Sequence, residues 1–397
     1  MANNTNLGAA KAAKNDEFYT QYADIQKEVN AYLEYNPDTF RDKTVLLPCD
    51  DPEWSNFTRF FAQNFERLGL KRLISTSYAV ESKKYKDYEP TLFETESPLF
   101  DVDKTRIKGK IFELTRDTNG SGRIDIDDLE WHYLEGDGDF RSPEVCALRD
   151  QADIIVTNPP FSLFREFLTW LLEAKKQFLI IGNMNAVTNK EVFPLIQMNE
   201  LWYGPSITSG DREFMIPDSY PLEAASWRID EKGKKYIRVK GVRWFTNFDH
   251  GRRHEPVLLM SKKDNRRFSK HRKIREVGYL TYDNYDAIEV PYSDAIPNDI
   301  DGAMGVPISF LDRYCPDQFE ILGLTQIGCH DALPDTKKYN DFKEIDRSTG
   351  RATGASGGKT NENAVLKGMG DKKTYYLGPN GEMVYSEYKR ILIRKKQ

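Results

Sequence analysis

Asn158, Pro159, Pro160 and Phe161 follow directly on the apolar run Ile154-Ile155-Val156-Thr157. Two adjacent prolines, each with φ locked and no N–H to donate, let neither strand nor helix continue, so the segment reads as a strand emptying into a rigid polar loop. The chemistry that suits such a loop is methylation of an exocyclic amine. An Asn side-chain carbonyl and the backbone carbonyl after it can accept both N–H groups of an amine, which turns the amine lone pair toward an electrophile on the far side. Pro159 and Pro160 keep those carbonyls pointing outward, and Phe161 offers a flat face on which a nucleotide base stacks. A buried strand that ends in a proline turn without any chemistry has the same local pattern, so the elements around the loop must decide.

Those elements read as an α/β sheet. From Asp16, DEFYTQYADIQKEVNAYLEY gives an aromatic-bearing loop and then an amphipathic helix, with Ile25, Val29, Tyr32 and Leu33 at helical spacing. TVLLPCDDPEWSNFTRFFAQNFERLGLKRLISTSY gives strand, acidic turn, a helix with Phe57, Phe60, Phe61 and Phe65 on one side, and strand, which is a βαβ unit. The strand before Asn158, the helix SLFREFLTWLLEAKK and the strand QFLIIGNMNAV form a second one. Ligands of open α/β sheets sit at the carboxyl ends of strands, where CDDP, GDGDF and NPPF all fall. Residues 1–14 read as a flexible terminus, 15–200 as the catalytic core with an insertion over 104–139 holding the strand-like IKGKIFEL, and 201–397 as remaining core strands plus a recognition region. RWFTNF, EPVLLMS and the closing RILIRKK look like further strands, and the polar tract near 331–373, centred on GRATGASGGKTNENA, reads as a mobile loop.

With 397 residues, 39% apolar and 30% charged, the chain can bury one large or two ordinary cores beneath a wet surface. No apolar run approaches the roughly 18 residues of a membrane span, and the opening residues lack an apolar signal core, so a cytoplasmic protein without a membrane partner is expected. Cys49, Cys146, Cys315 and Cys329 are far apart with no CxxC pair, so they read as reduced thiols. His250, His254 and His271 lack ligand spacing with acidic or Cys partners, which argues against a transition-metal site. A net charge of −5 disguises a basic stretch: eight of the fourteen residues from Lys262 to Arg275 are Lys or Arg. Arg252, Arg253, Lys262, Lys263, Arg266, Arg267, Lys270, Arg272 and Lys273 are the candidate phosphate contacts, against the plain alternative of a solvated surface.

Taken together, NDEFYTQYADIQKEV, LLPCDDPEWSNF, GDGDFRS, VTNPPFSLFREF, WFTNFDHGRRHEP, MGVPISFLDRYCPDQFEILG and RILIRKK resemble the EcoRI-type adenine-N6 DNA methyltransferases. The resemblance runs through most of the chain and implies a class I methyltransferase sheet, Rossmann-like with helices on both faces, followed by a target-recognition region. It implies S-adenosylmethionine as cofactor and duplex DNA as partner, with or without a cognate restriction endonuclease for the same site. Asn158 and Pro159 would hold the N6 amine of an adenine rotated out of the duplex, and Phe161 would stack it. Phe18, Tyr19 and Thr20 match an amino-terminal loop that encloses the cofactor. Cys49, Asp50 and Asp51 match the loop for its methionyl end, and Asp139 and Phe140 the pair that reads and covers its adenine. The chain departs from most class I enzymes in having no glycine in CDDPEWSNF, and no acid closing the second strand, RLISTSYAV, where Ser77 and Tyr78 are the candidates to take its place.

Other readings of the same residues stay open at this stage. Asp50 and Asp51 could be helix-starting acids, and Phe18 and Tyr19 core aromatics. Cytosine N4 and the glutamine amide of a protein are also methylated by Asn-Pro-Pro-aromatic loops, and a degenerate fold would bind DNA without catalysis. In the insertion, DTNGSGRIDIDD places Asp117, Asn119, Ser121, Asp125 and Asp128 at the spacing of a calcium loop, which would make a structural calcium ion a second cofactor. The twelfth position is Asp rather than the longer Glu, and a hairpin turn built from Asp, Asn and Gly accounts for the same composition without metal.

Overall fold

Ile25, Val29 and Tyr32 are fully buried along one face of α1 (Tyr22–Tyr35), the helix their spacing predicts. The computed structural model of the chain describes residues 20–50, 55–79, 97–208, 211–216, 227–325, 333 and 336–396. They divide into two compact units, one within Met1–Ala186 and Leu201–Gly251 and the other within Val187–Glu200 and Arg252–Gln397. Strands beyond residue 200 complete the sheet of the first unit.

In the first unit the strands are β1 (Thr44–Leu47), β2 (Arg72–Ser77), β3 (Lys110–Leu114), β4 (Glu130–Tyr133), β5 (Ile154–Thr157), β6 (Gln177–Asn183), β7 (Trp202–Tyr203), β8 (Arg212–Ile216), β9 (Trp227–Ile229), β10 (Lys235–Val239) and β11 (Val242–Thr246). Eight of them form one sheet in the order β4-β3-β2-β1-β5-β6-β11-β7. β2, β1, β5 and β6 are parallel, the β3–β4 hairpin extends one edge with β3 antiparallel to β2, and β11 lies antiparallel between β6 and β7. All four residues of β1 and of β5 are buried, as parallel strands covered on both faces must be. Val45, Leu47, Ile154 and Val156 pack with Ile25, Val29, Phe57, Phe60 and Phe61 of α1 and α2 (Asn56–Gln63). This is the mixed α/β architecture expected of a class I methyltransferase.

The chain runs from β1 to β2 on one side and returns to β5 on the other, so strand order reverses between β1 and β5. Their carboxyl ends flank the crevice where open α/β sheets bind ligands. α3 (Phe65–Leu68) and α4 (Val102–Ile107) lead into β2 and β3, α5 (Pro143–Gln151) into β5, and α6 (Phe164–Glu173) follows the Asn158 loop. β8, β10 and β9 make a separate antiparallel sheet, inserted between β7 and β11.

The second unit holds α7 (Phe193–Gln197), α8 (Lys262–Phe268), α9 (Arg272–Glu276) and β12 (Ala287–Glu289), β13 (Ala303–Val306), β14 (Phe319–Leu324), β15 (Lys343–Asp346), β16 (Ala352–Ser356), β17 (Val365–Lys367), β18 (Thr374–Leu377), β19 (Met383–Ser386) and β20 (Ile391–Lys395). Two sheets result, β12-β13-β20-β14 and β16-β15-β18-β19-β17. Two sequence expectations fail here. The tract read as a loop near 331–373 contributes β15, β16 and β17, since pairing with β18 and β19 and a small core of Tyr339, Phe342, Val365, Tyr376 and Val384 override its polar composition. EPVLLMS is not a strand: its one pairing is the bridge from Met260 to Pro297, and Leu258 stands almost wholly in solvent. No helix among the described residues is long and apolar enough to cross a membrane.

Candidate active site

Asp50, just past β1, is buried, and both of its carboxylate oxygens are held by hydroxyls. Thr157 Oγ1, at the end of β5, donates to Asp50 Oδ2 at 2.7 Å, and Ser55 Oγ donates to Oδ1 at 2.7 Å. Ser55 also caps α2 by accepting from the Phe57 amide at 3.1 Å, so the helix-starting role falls to Ser55 rather than Asp50. The Asp50 carbonyl accepts from Thr58 Oγ1 at 3.2 Å and from Ser75 Oγ of β2. One residue thereby joins the ends of β1, β2 and β5, and removing a partner would leave a buried charged acceptor unsatisfied at a cost of roughly 1–3 kcal/mol or more. Asn158 follows the residue so tied, with its side-chain oxygen buried.

Pro159 is buried, and the Pro160 carbonyl accepts from the Leu163 amide at 2.9 Å, closing a single 3-10 turn from Phe161 to Leu163 before α6. Phe161 is half-buried and meets the ring of Phe214 in β8 edge-on, at 6.5 Å. The proline turn therefore ends one strand, starts the next helix and holds an aromatic at the mouth of the switch point.

Residues 136–140, GDGDF, cross the end of β2. Gly138 has φ +86°, and a Cβ there would lie 2.2 Å from the Ser77 carbonyl, so glycine is required. The Ala79 amide donates to the Asp137 carbonyl at 2.8 Å, and Tyr78 OH donates to Asp139 Oδ2 at 3.0 Å. Arg141 forks onto the same carboxylate, Nε to Oδ1 at 2.9 Å and Nη2 to Oδ2 at 2.6 Å, and its Nη1 reaches Glu166 of α6 at 3.0 Å. Burial would raise the Asp139 carboxyl, but hydrogen bonds from Arg141 and Tyr78 outweigh it and hold the group down at about 2. Burial and the nearby carboxylates push the Tyr78 phenol well up, so it stays a donor. Of the two substitutes considered for a second-strand acid, Tyr78 joins Asp139, whereas Ser77 accepts from the Lys110 amide within the sheet at 3.2 Å. Phe140 is buried edge-on to Phe167 at 5.0 Å and Trp170 at 5.6 Å, so its ring packs on α6.

Thr20 lies against the start of α2: its carbonyl accepts from Asn56 Nδ2 at 2.8 Å, and its buried hydroxyl has no hydrogen-bond partner among the described residues. Phe18, Tyr19 and Asp51 lie outside the described residues, as does Cys329. Cys49, half-buried beside Asp50, and Cys146 and Cys315 form no disulfide among the described residues. Arg141, Ser55, Thr157 and Phe214 were not singled out by sequence reasoning. Arg141, Ser55 and Thr157 sat inside the quoted motifs, whereas Phe214 carried no signal because only tertiary packing brings β8 to the loop.

In the calcium-like loop, Asp117 accepts from the amides of Gly120, Ser121 and Gly122, and Asp128 from those of Thr118, Asn119 and Asp125. Asn119 accepts from the Ser121 amide, and Asp125 caps a 3-10 turn. Backbone amides bond to the carboxylates of Asp117 and Asp128, and no group of three or more His, Cys, Asp or Glu is placed to hold a metal among the described residues. The hairpin reading of this segment is the one that fits.

The basic stretch of the second unit splits in two. Lys262, Lys263, Arg266 and Arg267, all on α8, are exposed and form no ion pair among the described residues. Lys270 instead pairs with Asp294 at 2.7 Å, Arg272 with Glu276 at 2.8 Å and Lys273 with the buried Glu387 at 3.4 Å. Arg253 is buried and donates to Asn199 at 2.5 Å, so it supports structure rather than offering a surface charge, while Arg252 beside it is half-buried.

Against known proteins, the chain matches the family described as adenine-specific methyltransferase EcoRI over residues 6–396. It is 42% identical to Type II methyltransferase M.EcoRI of Escherichia coli over 321 residues, 81% of this chain and 89% of that relative. It is 36% identical to Type II methyltransferase M.MpnI of Mycoplasma pneumoniae over 315 residues, 79% of this chain and 83% of the relative. A third relative, Type II methyltransferase M.MgeORF184P of Mycoplasma genitalium, is 33% identical over 340 residues, 85% of this chain and 91% of its own. No solved structure matches.

Proposed function

The chain belongs to the EcoRI family of adenine-specific methyltransferases, and from that premise we propose that it methylates adenine N6 at a specific site in duplex DNA, using S-adenosylmethionine. The observation that carries the assignment of residues is the tie from Thr157 through Asp50 to Ser55, which sets the Asn158 loop against the β1 loop across the strand-order reversal. The Asn158 side-chain oxygen and the Pro159 carbonyl accept the two N–H groups of the target amine, orienting its lone pair. Phe161 stacks the adenine, which leaves the duplex to reach the crevice. Because an oriented amine can attack before it loses its proton, no general base with a shifted pKa is called for.

The residues at the β1 and β2 ends fit the cofactor. The Thr20 hydroxyl, buried and without a protein partner among the described residues, is a donor awaiting an acceptor. Asp139 is ionised at any physiological pH, and Asp50 sets a buried carboxyl group at the end of β1. When bound, S-adenosylmethionine supplies a methyl group on a positively charged sulfur. Asp50, with Cys49 beside it, would take the methionyl end; Asp139 with Tyr78 would take the adenosine end. The Phe140 ring would back that site from α6, and Phe18, Tyr19 and Thr20 would enclose it.

DNA phosphates are assigned to Lys262, Lys263, Arg266 and Arg267, whose charges face solvent. By likeness to the Type II relatives, a restriction endonuclease reading the same site is the proposed cellular partner. The test is incubation of the protein with unmethylated duplex DNA and methyl-labelled S-adenosylmethionine, followed by digestion to nucleosides. Label in N6-methyladenine supports the proposal; label in N4-methylcytosine transfers it to cytosine, and DNA binding without label makes the fold a non-catalytic one.

A further inference from the structure

We infer that the exposed β9 edge of the β8–β10–β9 sheet, whose apolar row leads to Phe161, is a platform for the target DNA strand next to the flipped adenine, with Trp227 as its stacking residue. This rests on the DNA-methylation reading above. The register places Phe214, Ile237 and Trp227 side by side across the three strands, and Ile216, Lys235 and Ile229 in the next row of the same face. Phe214, Ile216 and Ile237 are buried, and Phe214 touches Phe161. The apolar row then runs out to Trp227 and Ile229, each 49% exposed on the edge strand β9. Trp227 and Ile229 thus form an exposed apolar pair on one face of the edge strand, and the row that ends in them starts at the aromatic assigned to the target base.

The opposite face of this sheet is already satisfied: Arg228 forks onto Glu213 at 2.8 and 2.5 Å and lies over the Tyr236 ring at 4.4 Å. The surroundings choose the occupant. From Trp227 to Lys240 there are six Lys or Arg against two acids. Lys232 and Lys234 in the β9–β10 turn and Lys240 after β10 are exposed, with no ion pair among the described residues. An apolar aromatic row bordered by such cations is the composition that holds single-stranded nucleic acid, stacking bases on the ring and phosphates on the rim. Extruding adenine unstacks its neighbours, and Trp227 is placed to take the face of one of them.

The experiment compares wild type, Trp227→Ala, Trp227→Phe and the triple variant Lys232→Gln/Lys234→Gln/Lys240→Gln, using a labelled unmethylated duplex fragment of mixed sequence and, separately, S-adenosylmethionine. Trp227→Ala is expected to weaken DNA binding roughly tenfold while leaving cofactor affinity unchanged, and Trp227→Phe to restore most of the loss. The triple variant is expected to lower the slope of log affinity against log salt by about 3, near 0.9 for each phosphate that is no longer neutralised. Wild-type DNA binding with Trp227→Ala within twofold of it and an unchanged slope would overturn this inference alone. Loss of cofactor binding by Trp227→Ala would also overturn it, by making the residue structural. A wild type that binds the cofactor but no DNA would overturn the proposed function itself.

Discussion

In the first unit Asp50, Ser55 and Thr157 beside the Asn158 loop are buried and bonded to one another, whereas on α8 of the second unit four cations are exposed with no ion pair among the described residues. The stretch that follows, Lys270 and α9, is intermediate, with Lys270 paired with Asp294, Arg272 with Glu276 and Lys273 with Glu387. The contrast separates two ways of using polar side chains. A buried tie sets geometry, and its loss leaves an orphaned group whose desolvation is uncompensated. An exposed cation adds a screened, nearly independent increment of attraction, and its loss leaves the fold intact.

The largest effect should come from Asn158→Ala. Turnover is expected to fall at least 10²- to 10³-fold, on the order of losing a positioned polar group in other active sites, with S-adenosylmethionine affinity unchanged. The variant with Lys262, Lys263, Arg266 and Arg267 changed to Gln should keep wild-type kcat at saturating DNA; an equal loss of kcat there would break the comparison. Next is Thr157→Val, which removes one donor to Asp50. It should cost roughly 1–3 kcal/mol in a urea titration and also lower kcat. If it proves neutral in both, the tie between β1 and β5 is not what holds the loop.

On the second unit the same α8 variant should reduce the salt slope of DNA binding by about 3 to 4, while Lys270→Gln/Arg272→Gln/Lys273→Gln should change it by less than about 1. Equal slopes for the two variants would show that the α9 ion pairs open on DNA and that the split between the helices has no functional meaning.

A further effect, away from the site, concerns Glu28, buried in α1, which accepts from Tyr32 OH at 2.7 Å and from the Ser206 amide at 2.9 Å. Burial raises its carboxyl from 4.5 to about 7 against those hydrogen bonds. The folded protein thus favours the protonated form. That stabilisation is complete below about 4.5 and is lost as pH rises through 7. Wild-type stability should fall over that interval by at most about 1.4 kcal/mol per pH unit, and Glu28→Gln should flatten the dependence. An unchanged profile would locate the titration elsewhere.

Much of the first unit was legible because its signals are local. The spacing of Ile25, Val29 and Tyr32 announces α1, the apolar runs announce β1 and β5, and the two prolines force a loop whatever surrounds them. GDGDF was legible as a loop, and its second glycine proves to be demanded by the Ser77 carbonyl. The strands of residues 343–367 were hidden because few of their residues are apolar and the pairing partners lie farther along the chain, in β18 and β19. The calcium-like spacing was misleading in the opposite sense: the same carboxylates that ligate cations also bind backbone amides, and composition does not distinguish the two.

By itself the sequence determined the fold class, the family and the place of the rigid loop after β5, since covalent rigidity at Pro159 and Pro160 and short-range periodicity act within a few residues. Tertiary structure alone decided that Asp50 is the knot between β1, β2 and β5, that Arg141 links the Asp139 loop to α6, and that Phe214 backs Phe161. It also decided which cations are available, because an ion pair depends on what the fold sets within 4 Å of a charge, and neither Asp294 nor Glu387 is near the basic stretch until the chain has folded.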